Sequence, residues 1–110
     1  MNKAHFDSLI DVIIHEVIET RDEGQKEYAH TKANVFANFE RTADLLDEPR
    51  EKVLMTFLLK HIDGIAAHVK GHESQREDVT GRLKDAIVYL MLLWGMIEEG
   101  RSTNESSEKS

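Results

Sequence analysis

Three carboxylates, Glu16, Glu19 and Glu23, stand at steps of three and four residues in the segment Glu16-Val17-Ile18-Glu19-Thr20-Arg21-Asp22-Glu23. On a helix they fall within roughly a 60° arc. Carboxylates one turn apart suit Mg²⁺, a hard cation that takes oxygen ligands. The same spacing also serves an ordinary solvated acidic face. A second set, Glu77, Asp78, Arg82 and Asp85, lies further along. Asp78 and Asp85 share a face with Arg82 between them, which fits a local salt-bridge ladder. Asp85 is the less ordinary member, because it leads directly into the apolar run Ala86 to Ile97. A carboxylate buried there is costly unless paired or metal-bound, and buried charge marks functional sites.

Histidines offer a weaker signal. His61 and His68 are two turns apart, about 10.5 Å along a helix axis, too far to share one metal ion unaided. His68 and His72 have i, i+4 spacing, but Gly71 intervenes and no His-Glu-x-x-His pattern exists. They read as half-buried packing and hydrogen-bonding groups. Tyr28, in a polar stretch, is a candidate for stacking on a ligand. Trp94 reads as core. Phosphate-cradling glycine motifs, a Gly-x-Ser-x-Gly elbow and cysteine chemistry are absent from the sequence.

Helices must position these groups. Of the 110 residues, one is proline and six are glycine, aromatics are 6%, and no Val/Ile/Thr alternation of period two occurs, so breakers and strand signals are both scarce. Phe6, Leu9, Ile10, Ile13, Ile14 and Val17 mark a first helix over about 3–23, closed by Gly24. Val35, Phe36, Phe39, Ala43 and Leu46 mark a second over 34–46, with Asn34 as its N-cap. Asp47 reads as the N-cap of a third helix with Pro49 in its first turn. That helix carries Leu54, Leu58, Ile62, Ile65 and Val69 and is closed by Gly71. Ser74 and Glu77 have capping-box spacing for a fourth helix over about 75–99, ending at Gly100. Its second half is apolar on every side, more than three neighbours can cover, so self-association through it is expected. The expectation is one all-α four-helix bundle over 1–100, dimeric, with a disordered polar tail over 101–110.

Charge and composition narrow the partners. With 21 acidic and 14 basic side chains the net charge is −7, which disfavours nucleic acid. The longest apolar run is too short for a membrane span. Residues 1–6 carry no signal-peptide pattern. A cytoplasmic protein is expected.

Lys26-Glu27-Tyr28-Ala29, then Asn34 to Arg41 (NVFANFER), then Leu58-Leu59-Lys60-His61, then Glu77 to Tyr89 (EDVTGRLKDAIVY) follow one another over most of the chain. This order resembles small phage and prophage proteins of the nucleotide modification associated domain type. Those are similar to the MazG-like all-α nucleoside triphosphate pyrophosphohydrolases. The resemblance implies a nucleotide ligand, a cytoplasmic setting (the host's, for a phage protein) and a dimer. It assigns Lys26, Tyr28, Asn38 and Phe39 to the early motif positions, Lys60 to the middle helix, and Glu77, Asp85 and Tyr89 to the last. It further implies Mg²⁺ held by Glu16, Glu19, Glu77 and Asp85, with Lys60 or Arg82 neutralising the phosphate chain as water attacks. The chain departs from that pattern at two positions. Where MazG-like enzymes carry Glu-x-x-Asp, this chain has Arg82-x-x-Asp85, and Gly81 stands where a further acid is expected. These departures leave two other readings, a non-catalytic helical module that binds a nucleotide or a host protein, and a purely structural dimer.

Overall fold

The computed structural model describes residues 1–28, 34–72 and 78–109, with residues 26–28 and 103–109 described by their backbone alone. The described residues form four helices and no strand: α1 (Lys3–Tyr28), α2 (Ala37–Leu46), α3 (Arg50–Val69) and α4 (Val79–Lys109). Helix α4 is the spine. α3 packs along it, α1 lies against it, and α2 rests on α3. The molecule is elongated, 52 × 33 × 25 Å. No helix among the described residues is long and apolar enough to cross a membrane.

Local chemistry explains the helix ends. Asn2 starts α1, its Oδ1 accepting the His5 N–H at 2.9 Å. Before α2, Oδ1 of Asn34 accepts the Phe36 N–H at 3.0 Å, while its Nδ2 donates to the Glu40 carboxylate. Asp47 does not cap α3. It closes α2 in the left-handed conformation, φ 53° and ψ 51°, and the Glu48 N–H reaches back to the Ala43 carbonyl. That is a Schellman closure, and Asp is among the few residues besides glycine that tolerate it. Pro49 then leads α3, its carbonyl accepting from Lys52 and Val53. Gly71 ends α3 at φ +97°, with the His72 N–H on the Ala67 carbonyl.

Two glycines read as stops do not stop anything. α1 continues through Gly24 to Tyr28, and α4 through Gly100 to Lys109. An interior glycine costs a helix only about 1 kcal/mol, which neighbouring residues outweigh. The stretch 101–109, expected to be disordered, therefore carries helical backbone. The proposed cap pair Ser74 and Glu77 lies outside the described residues.

The core lies between α2, α3 and α4. Phe36, Phe39, Ala43, Val53, Leu54 and Met96 are buried, with Val35, Tyr89, Leu92 and Leu93 packed around them. Gly95 makes room for Phe36, whose ring would stand 3.1 Å from a Cβ at that position. Arg50 ties this end together. Its guanidinium lies 4.8 Å over the Phe36 ring and reaches Glu99 at 3.0 Å, Glu51 at 3.3 Å, Glu40 at 3.7 Å and the Met96 carbonyl at 3.4 Å. α1 contributes little to the buried interior. Val17 is its single buried side chain among the described residues, and Phe6, Leu9 and Ile14 of the expected stripe are exposed. Trp94, expected in the core, is 70% exposed.

Candidate functional site

A cavity of about 120 Å³ opens where α1, the entry to α2 and α4 meet. The last full turns of α1 give Thr20, Arg21, Gly24 and Gln25. The start of α2 gives Val35, Asn38 and Phe39. α4 gives Asp85, Val88, Tyr89 and Leu92. The α1 set repeats at one-turn spacing because the helix runs unbroken through Gly24. Asp85 and Tyr89 are one turn apart on α4 and share the cavity face for the same reason.

Aromatic rings back this cavity. Tyr89 meets Phe39 edge-on at 6.0 Å and stacks with Phe57 at 6.3 Å. His61, on α3, lies 5.5 Å from the Tyr89 ring centre. Its Nε2 is 3.9 Å from Oδ2 of Asp85, an ionic contact when the imidazole is protonated. The His61 side chain is only 12% exposed, and its Nδ1 is buried without a hydrogen bond among the described residues. Asp85 is half-buried. It is thus a carboxylate with an imidazole on its inner side and the cavity on the other.

The structure brings some of the sequence-derived candidates together and separates others. Asn38 and Asp85 meet at the cavity, together with Phe39 and Tyr89. The side chains of Lys26 and Tyr28, and all of Glu77, lie outside the described residues. Lys60 is exposed on another face of α3, in a shallow groove with Thr56, Leu59, Ile62, Asp63 and Ala66. Arg82 is half-buried against α3. Its Cζ and Cδ come within 2.5 and 2.6 Å of where a Cβ on Gly64 would stand, so glycine at 64 is what lets the arginine cross α3. Glu19 is exposed and stands 4.0 Å from His15, and Glu16 is half-buried; neither lines the cavity.

Among the described residues, no three carboxylate or imidazole side chains converge as a metal site. Glu16, Glu19 and Asp85 do not form such a group, and Glu77, the fourth member of the Mg²⁺ set that the resemblance implies, lies outside the described residues.

Arg21, Gln25 and Thr20 were not legible as site residues. A helix stopped at Gly24 hides the face they share. Arg21 also contacts the neighbouring Asp22 at 3.0 Å, so in sequence it reads as a surface charge. The chain matches no family model, no curated protein and no solved structure.

Proposed function

We propose that the chain binds a nucleotide, in the manner of the MazG-like proteins it resembles, with the base seated in the cavity between α1, α2 and α4. The observation that carries this reading is the convergence of Asn38 and Asp85 with Gln25 and Arg21 on a cavity walled by Phe39 and Tyr89. Size supports it. An engineered cavity of about 150 Å³ takes up benzene, so about 120 Å³ suits one small planar ring and not a triphosphate. Chemistry supports it too. Two side-chain amides offer donors and acceptors in one plane each, and a carboxylate accepts from ring N–H or amino groups. Arg21 supplies positive charge for a phosphate. Aromatic walls favour a flat ligand.

Hydrolysis of a (deoxy)nucleoside triphosphate, which the resemblance implies, is the second half of that reading, and the non-catalytic binding module is its alternative. Arg82 favours the alternative, since it lies against Gly64 where the resemblance calls for an acid facing a metal.

Thermal shift and titration calorimetry with nucleosides and (d)NTPs, with and without Mg²⁺, test the reading. A shift that needs no metal, shared by nucleosides and their triphosphates, is expected. No shift with any base rejects it. Chromatography of the same mixtures after incubation with Mg²⁺ or Mn²⁺ separates the enzyme from the binding module.

A further inference from the structure

Packing accounts for two of the glycines inside the helices. A Cβ on Gly64 would strike Arg82, and one on Gly95 would stand 3.1 Å from the Phe36 ring. At Gly24, Gly81 and Gly100 a Cβ would meet no atom within 4 Å. Of these three, Gly24 is the one that lines the cavity between α1, α2 and α4. Glycine is the poorest helix former after proline. At position 24, α1 carries that weakness with no neighbour that requires it.

The open space beside Gly24 belongs to the cavity. At about 100° per residue, Thr20, Gly24, Arg21 and Gln25 succeed one another across roughly 140° of α1, and all four line the cavity. Gly24 stands inside that arc, so the place where its side chain is missing faces the cavity. Bare backbone of this kind lets a ligand come close to the main chain. The α4 wall is firmer. Tyr89 is held edge-on to Phe39 at 6.0 Å and stacked with Phe57 at 6.3 Å, and close-packed rings do not part without losing contacts. The width of the cavity is therefore set at α1.

Volume decides what that width admits. A cavity of about 150 Å³ takes up benzene, a single six-membered ring. The cavity here is about 120 Å³. A pyrimidine is one ring of that kind, whereas a purine carries a second, fused ring for which no room is left. The amides of Gln25 and Asn38 each offer donors and an acceptor, so they serve cytosine and uracil alike.

We infer that the cavity is a seat for a single-ring base: a pyrimidine enters with its face against the bare backbone at Gly24, and a purine is kept out. This rests on the nucleotide reading and adds to it the class of base and the residue that sets it.

Titration calorimetry of the full chain with cytidine, uridine, adenosine and guanosine tests the class. At least one pyrimidine nucleoside should bind about tenfold or more tightly than either purine, the discrimination a pocket obtains from size. Gly24→Ala tests the seat. Without ligand its melting temperature should rise by about 4 °C, because alanine improves an open helix position. Its affinity for the pyrimidine should nevertheless fall about tenfold or more, the effect of crowding a close-fitting site with one methyl group. Gly100→Ala, equally open but away from the cavity, should keep the native affinity. Purines that bind as tightly as pyrimidines, or a Gly24→Ala chain that binds as the native one does, overturn the inference and leave the nucleotide reading standing. No binding of any of the four nucleosides to the native chain rejects both.

Discussion

Asp85 enters α4 one residue ahead of its apolar run and sits between His61 and the cavity. Its charge is the group that a nucleobase donor would meet, and a hydrogen bond to a charged group contributes roughly 1.5–3 kcal/mol. Asp85→Asn keeps the shape and removes that charge. Titration should show nucleotide affinity falling about tenfold, with the melting temperature nearly unchanged. Asn38→Ala should weaken binding in the same assay, and Lys60→Ala, on another face of α3, should not. Gly64 and Arg82 make a second residue-level case. Alanine is favoured over glycine inside a helix by about 1 kcal/mol, but here a Cβ would displace Arg82, a strain of roughly 1–3 kcal/mol. Gly64→Ala is therefore expected to destabilise the native chain and to stabilise the Arg82→Ala variant. Urea unfolding of the four proteins reads the sign change directly. Asp85 was visible in the sequence because a charge entering an apolar helix is conspicuous. The Gly64–Arg82 fit was not, since nothing in either residue type announces which glycine a distant arginine crosses.

At the scale of elements, the four helices were legible and their buried faces only in part, since Leu46, Ile62 and Val69 are exposed, as is much of the α1 stripe. Phe36, Phe39, Ala43, Leu54 and Leu58 lie where the 3.6-residue period put them. The ends were harder to read. Asp47 looks like an N-cap of α3 and serves as the left-handed closure of α2, because the two helices share a junction three residues long. Gly24 and Gly100 look like stops, and a stop at Gly24 leaves out the turn of α1 that brings Gly24 and Gln25 to the cavity. Asp47→Gly removes the strain of a positive φ at some cost in chain entropy, and should raise stability by about 0.5 kcal/mol. Asp47→Val should lower it; both are read from denaturant midpoints. Arg50 joins α2, α3 and α4 through one planar group. Lysine offers a point charge and cannot reproduce that fork. Arg50→Lys is thus expected to lose about 1 kcal/mol in chemical denaturation and Arg50→Ala about 2 kcal/mol, values set low because Glu99 is mostly exposed.

At the scale of the molecule, the radius of gyration is 16.6 Å, against roughly 13 Å for a compact chain of this length. The apolar excess of α4 was readable as a demand for cover, but the sequence did not say which side chains would remain outside. Trp94 looked like core because tryptophan usually is; here Phe36 and Met96 fill that space and Trp94 is left on the outer face.

The uneven anchoring of the helices bears on how the cavity fills. α2, α3 and α4 share the core, while α1 is held by Val17 and a half-buried fringe, yet it supplies Thr20, Arg21, Gly24 and Gln25 to the cavity wall. Segments with few buried contacts open locally at a lower free energy than the rest of a fold. Amide hydrogens of α1 should therefore exchange with deuterium sooner than those of α3, and a nucleotide in the cavity should slow exchange in α1 far more than in α3. Equal protection of both helices would mean that the cavity has no loose wall. In that case a ligand would have to enter past side chains alone.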